Sequence, residues 1–253
     1  MSTPVKQLQQ RIKSREATVG VVGLGYVGLP LSIGFARAGF PVLGFDTDSR
    51  RVAQVNDGEQ VIRHIPRKAM RELAQGGEAT ADFARLGEAD AVLICVPTPL
   101  DQHHQPDMSY VEAAADAIAA TLRKGQLVVL ESTTWPGTTR ELLLPRLEVS
   151  GLRAGEDFFL AYSPEREDPG NTNYGMGDIP KVVGGHTDAC RDVAVALYES
   201  VVPRTIPVSS PETAEATKLM ENIFRAVNIT LVNERSEERR GGKECRSWLS
   251  PYH

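Results

Sequence analysis

The chain has 253 residues, with 28 Lys and Arg against 33 Asp and Glu and a formal net charge of −5; this length gives room for a full core in one large or two small domains, and the acidic balance argues against nucleic acid as a partner. No apolar run approaches the roughly 20 residues needed to cross a bilayer, so no membrane association is expected. Cys95, Cys190 and Cys245 show no metal-ligand spacing, which predicts no metal site and the reduced thiols of a cytoplasmic protein.

In chain order, residues 1–16 are a polar extension with a weak stripe of Val5, Leu8 and Ile12 and without the apolar centre of a signal peptide. A strand is predicted at 18–23, a helix at 27–38, a strand at 41–46 and a helix at 49–56. The loop Gly58–Pro66 leads to a helix at 67–75 and a short strand near Ala79. The apolar run 91–96 predicts a buried strand. A helix follows at 109–122, with Asp107 or Ser109 as its cap and Gly125 after its end. A strand at 126–130, a helix at 138–148, strands at 158–162 and 181–184, a helix at 188–201 and a strand at 204–208 complete the alternation. Strands alternating with helices predict an α/β, doubly wound, mostly parallel Rossmann-like sheet over 17–208. The short apolar runs suit strands covered on both faces. Pro211 then opens a long helix over 209–234, in which Leu219, Ile223, Val227 and Leu231 recur at helical spacing opposite Lys218, Asn222 and Arg225.

The junction of the first strand and first helix reads Gly23-Leu-Gly25-Tyr26-Val27-Gly28, and Asp46 closes the second strand about 20 residues on. Gly23 allows a tight turn, Gly25 lets a pyrophosphate approach the backbone, and Gly28 lets the helix pack on the strand. The helix N-terminus offers unpaired N–H groups and a positive dipole end to phosphates. Asp46 would accept hydrogen bonds from a ribose diol and repel a 2′-phosphate, which favours NAD over NADP. Arg50 and Arg51, just beyond, leave NADP open, since arginine can neutralise a 2′-phosphate, stack on adenine or sit in water. In open parallel sheets ligands bind beyond the carboxyl ends of the strands. Three segments follow strand ends: Val96-Pro97-Thr98-Pro99, Glu131-Ser-Thr-Thr-Trp-Pro-Gly-Thr-Thr139 and Tyr162-Ser-Pro-Glu-Arg166. Lys218-Leu-Met-Glu-Asn222 lies on the long helix. Singly these read as a stiff turn, a helix cap, a surface acid and a solvated helix face; together at strand ends they point to a site.

The same segments occur in the order seen in the nucleotide-sugar 6-dehydrogenases, the UDP-glucose, UDP-N-acetylglucosamine and UDP-N-acetylmannosamine enzymes. The chain resembles that family from about Ala17 to Glu234. Gly58–Pro66, Ser163–Asn171 and Lys181-Val-Val-Gly-Gly185 look most like the UDP-N-acetylglucosamine branch. The resemblance implies oxidation of a sugar C6 alcohol to a carboxylate in two NAD-dependent steps, with a cysteine thiolate capturing the intermediate aldehyde. It implies NAD contacts at Gly23, Gly25, Tyr26, Val27, Gly28 and Asp46, and further ones at Arg51, Val96, Pro97, Thr98 and Thr133. It also implies that Thr133 orders a water or hydroxyl, Glu165 assists hydrolysis as acid and base, Lys218 stabilises oxyanion character at C6, and Asn222 bonds the same oxygen or the water. A UDP-sugar substrate and a homodimer paired along the long helix are implied for a full-length protein.

Two departures stand out. Some relatives carry a second glutamate four residues after the one matching Glu165, where this chain has Pro169. The family's Gly-Gly-His-Cys nucleophile motif is missing: Gly184-Gly185-His186 is followed by Thr187, Cys95 reads as a packed strand thiol, and Cys190 as a helix residue far from the chemistry. Residues 235–253 are compositionally foreign to the helix before them. They resemble a translated sequencing-library adaptor and are expected to form a non-native, disordered tail. The sequence therefore reads as a truncated 6-dehydrogenase without turnover of its own. The alternatives are a plain NAD-binding module, or a hydroxyacid-type Rossmann dehydrogenase, which would need a catalytic His or Lys outside these motifs; His103, His104 and His186 are available but read as surface loop residues.

Overall fold

A computed structural model describes residues 4–63, 65–103, 105–165 and 180–238. Helix α1 (Pro4–Ser14) precedes β1 (Val19–Val22), α2 (Gly28–Arg37), β2 (Val42–Phe45), α3 (Ser49–Asn56), α4 (Arg67–Gly76) and β3 (Gly77–Thr80). Next come β4 (Ala91–Ile94), α5 (Ser109–Ala119), β5 (Leu127–Leu130), α6 (Leu144–Glu148) and β6 (Phe159–Tyr162). The described chain ends with β7 (Lys181–Gly185), α7 (Asp188–Tyr198), β8 (Thr205–Val208) and α8 (Pro211–Glu238). The strands form one sheet in the order β3-β2-β1-β4-β5-β6-β7-β8. All pairs are parallel except β6 with β7.

The order reverses between β1 and β4, where a doubly wound sheet opens a crevice at its carboxyl edge. Each of β1, β2, β4, β5 and β6 is buried along its whole length, because helices cover both faces. One face packs Leu29 and Phe35 of α2, Met70 of α4 and Val193 of α7 against Val19 and Leu93. The other packs Val111 and Ile118 of α5 and Leu147 of α6 against Val92 and Leu130.

The predicted elements are present, with four differences. The 1–16 stretch contributes α1, whose Leu8 and Ile12 are buried in the same core as α7, so the weak stripe is a packing face. The predicted helix 138–148 is a wide π turn over Thr139–Leu143 that runs into α6; such turns recur near functional sites. The long helix continues to Glu238, four residues past its predicted end, and residues 239–253 lie outside the described ones. A 3₁₀ helix over Phe83–Glu88 has no counterpart in the expectations; Asp82 caps it by accepting the Ala84 N–H.

Helix α8 is joined to the sheet by a buried carboxylate. Glu215 is inaccessible to solvent. It accepts the Gly137 N–H at 2.6 Å, the Thr139 N–H at 2.9 Å and the Thr139 hydroxyl at 2.7 Å. Burial pushes its carboxyl pKa up, against the pull of these donors. No described helix is long and apolar enough to cross a membrane.

Candidate functional site

The loop after β1 shows why its glycines stand where they do. Gly23 has φ +95°, a left-handed backbone that side chains rarely adopt. A Cβ on Gly28 would sit 1.8 Å from the Gly23 carbonyl oxygen, so only glycine lets α2 start this close to β1. A Cβ on Gly25 would meet nothing within 4 Å, so protein packing does not demand glycine there. That open space fits a phosphate group approaching the backbone at the head of α2.

Around this loop lies a cavity of about 620 Å³. It is lined by Gly23, Gly25, Tyr26, Val27, Asp46, Arg51, Val96 and Pro97, eight of the residues the sequence singled out. Gly28 sits behind it as a packing residue, while Thr98 and Thr133 are not in its lining. The sequence did not identify Phe83, Tyr110, Ala113 or Ala117, which form its apolar wall. The signal was present in the run of small residues on α5, which leaves room above the sheet.

Asp46 is fixed in place. Its Oδ2 accepts the Leu24 N–H at 3.0 Å and its Oδ1 accepts the Asp48 N–H at 2.9 Å. The two arginines of the NADP alternative are engaged: Arg51 donates to the Leu24 carbonyl at 3.0 Å, and Arg50 pairs with Asp48 at 3.3 Å. Asp46 in the cavity wall, with Arg51 bonded to a backbone carbonyl and Arg50 paired with Asp48, fits NAD.

The loops after β4 and β5 are tied together. The Ser132 hydroxyl donates to the Val96 carbonyl at 2.7 Å, and the Thr98 hydroxyl donates to the Thr133 carbonyl at 2.9 Å. Thr98 and Thr133 thus lie side by side at the carboxyl edge, as the strand-end placement predicted. Glu165 follows β6 at the same edge. Lys218 is half-buried on α8, close enough for Glu165 and Glu221 to act on its charge; burial lowers its pKa, and those carboxylates oppose the shift. Asn222 follows Lys218 by one helical turn and is also half-buried. Arg166, Pro169 and Asn171 lie outside the described residues, as do His104 and Cys245.

Beneath Glu165 is a buried polar cluster that the sequence reading did not single out. Lys181 Nζ lies 2.5 Å from Glu131 Oε2 and 3.5 Å from Glu165 Oε2. The other Glu131 oxygen accepts the Tyr198 hydroxyl. Burial works against the Lys181 charge, but the two carboxylates outweigh it, so its pKa rises. Burial also raises the Tyr198 hydroxyl, reinforced by Glu131. The available signal was a charge at the boundary of an apolar run, Glu131 after β5 and Lys181 opening β7.

Cys95 lies just past the end of β4, not within the strand, and is among the residues around the cavity. Burial holds it well above the usual thiol range, with Glu131 adding to the effect, so it is no ready thiolate. Cys190 is buried in α7, where its sulfur accepts the Leu160 N–H at 3.3 Å. His103 is in an exposed loop. His186 follows β7 at the opposite edge of the sheet, its N–H donating to Leu160. Neither His103 nor His186 lines the cavity. No cluster of three or more His, Cys, Asp or Glu among the described residues could hold a metal.

Comparison with known proteins agrees with this geometry. The pattern of the UDP-glucose/GDP-mannose dehydrogenase family, NAD binding domain, matches residues 17–202. The chain is 38% identical over 222 residues to a UDP-N-acetyl-D-glucosamine 6-dehydrogenase from Pseudomonas aeruginosa, covering 87% of this chain and 52% of that protein. It is 39% identical over 229 residues to a UDP-N-acetyl-D-mannosamine dehydrogenase from Escherichia coli K12, covering 87% and 54%. A crystal structure of an NDP-N-acetyl-D-galactosaminuronic acid dehydrogenase from Methanosarcina mazei Go1 superposes with a TM-score of 0.80 at 34% identity, covering 94% of this chain and 53% of that one. The chain spans about half the length of these relatives. With the glycine loop, Asp46 and the cavity around them in place, the chain belongs to the UDP-glucose/GDP-mannose dehydrogenase family and carries its NAD-binding domain.

Proposed function

We propose that this chain supplies the cofactor half, and part of the catalytic edge, of an NAD-dependent UDP-sugar 6-dehydrogenase. The observation that carries the reading is one edge of one sheet. There the cavity, the Thr98–Thr133 contact, Glu165 and Lys218 lie around the strand ends. NAD bound there would accept one hydride in each of the two oxidation steps at C6, so that two NAD take up the four electrons removed. The first turn of α2 would hold its pyrophosphate and Asp46 its adenosine ribose. Tyr26, Val27 and Arg51 would line the adenosine side, with Val96, Pro97 and Thr98 toward the nicotinamide.

The remaining roles belong to the protein's own groups. Lys218 would place a cation against developing negative charge on the C6 oxygen, in a half-buried site where water screens it little. Asn222 would donate to the same oxygen or to the attacking water. Thr133 would order that water, and Glu165 would take and return its proton. The sugar we propose is N-acetylglucosamine, on the strength of Gly58–Pro66 and Lys181–Gly185. NAD and nucleotide sugars are cytoplasmic pools, which places the proposed reaction there. Pairing of two copies along α8 is proposed from its exposed apolar face.

Both described cysteines are buried, so covalent capture of an aldehyde by either is not part of this reading. We expect the chain as given to bind NADH and to form no uronate from any UDP-sugar. Calorimetry on the folded chain tests the first point, and the absence of NADH binding would sink the reading. Uronate formed together with NADH would show that the missing motif cysteine is dispensable.

A further inference from the structure

Two apolar strands are bounded by buried charge, β5 by Glu131 and β7 by Lys181. Their side chains are 0% and 8% exposed. A buried ion pair is weak evidence for stability, because apolar residues of the same volume often serve as well or better. The geometry gives this pair another use. Because β7 runs antiparallel to β6, with Tyr162 opposite Gly184, its first residue lies beyond the carboxyl end of β6, where Glu165 follows. The Lys181 ammonium bridges inward to Glu131 at 2.5 Å and outward to Glu165 at 3.5 Å. Both Glu131 oxygens are taken, one by Lys181 and one by Tyr198. The Lys181 ammonium also sits 5.2 Å from the centre of the Tyr198 ring.

We propose that Lys181 is a positioning residue for Glu165: Glu131 and Tyr198 fix the ammonium from within the core, and the ammonium fixes the Glu165 carboxylate at the edge of the site, on the side of Lys218. This rests on the reading of Glu165 as the acid–base residue of the proposed reaction. Lys181 itself touches neither sugar nor cofactor. It supplies a preorganised charge that water in the site does not have to reorient.

Isotope-edited infrared spectroscopy of the folded 253-residue chain reads the Glu165 carboxylate directly, its band assigned by its loss in Glu165→Gln. Lys181→Met removes the charge at similar volume and is expected to shift the band; Lys181→Arg is expected to restore it. Glu131→Gln releases the ammonium from its inner partner and is expected to shift the band in the opposite sense. Circular dichroism and melting establish that each variant is folded. An unmoved band in folded Lys181→Met overturns the proposal. If that variant does not fold, an unmoved band in Glu131→Gln overturns it equally. The measurement needs no turnover, so a failure of the dehydrogenase reading, seen as absent NADH binding, is distinguishable from a failure of the Lys181 role.

Discussion

Gly25 and Gly28 are the same residue type in one loop, yet they are glycine for different reasons. A methyl on Gly25 would face open space, whereas one on Gly28 would sit 1.8 Å from a backbone oxygen. Gly25→Ala is therefore expected to melt within about 0.5 kcal/mol of the unmodified chain and to lose NADH affinity on the order of tenfold or more, because the methyl occupies the pyrophosphate's place. Gly28→Ala is expected to lose roughly 1–3 kcal/mol of stability or more through overpacking. Thermal melts and NADH fluorescence titrations on the two variants separate these effects. Undiminished NADH affinity in Gly25→Ala would place the phosphates elsewhere. Asp46→Ala removes the ribose acceptor and the brace on the Leu24 and Asp48 N–H groups. NADH binding should weaken on the order of tenfold, the worth of hydrogen bonds to a charged group. An unchanged dissociation constant would mean that the ribose does not reach Asp46.

Among the elements, α8 depends on Glu215, which the sequence reading did not mention. Glu215→Ala leaves the Gly137 and Thr139 N–H groups without their partner, at roughly 1–3 kcal/mol for each that stays buried. Lys218 is one turn away on the same helix, so its placement over Glu165 should loosen as well. The raised Glu215 pKa has a definite consequence for pH. A carboxyl with a higher pKa folded than unfolded favours the folded state most when protonated, and that contribution is lost as pH rises through the folded value. Glu215→Gln cannot titrate. The stability advantage of the unmodified chain over Glu215→Gln should therefore be largest below the ordinary glutamate value of 4.5 and shrink as pH rises above it. Denaturant melts of both proteins across that range check the sign. An advantage that grows with pH would show that the three donors, not burial, dominate at this carboxylate.

At the scale of the whole molecule, α8 presents Met220, Phe224 and Val227 at 64%, 73% and 60% exposure. A contiguous apolar face of this kind is rarely left in water. If two copies pair along it, sedimentation should show concentration-dependent association, and Phe224→Glu should weaken it without changing the melting of the Rossmann-like core. A chain that stays monomeric at high concentration would remove the pairing proposal.

The local code of the chain was enough for much of this structure. Alternating apolar runs and helical periods are set by backbone geometry and solvent, so β1, α2, β2, β4, α5 and β5 fall where their residues predict. The glycine loop and Asp46 are legible for the same reason, because each residue meets a constraint of its own turn. What the sequence did not disclose is which runs lie against each other. Alternation suggested a parallel neighbour for β6, and only the folded sheet turns β7 around. That reversal carries Lys181 to the edge that holds Glu165 and carries His186 to the edge that does not. Glu131 and Lys181 enter the sequence reading only as first residues of longer motifs, and Tyr198 and Glu215 not at all, because their partners lie far away in sequence, 50 residues on for Glu131 and Lys181. Strand direction and the burial of charge are decided by tertiary packing, since no local pattern records them.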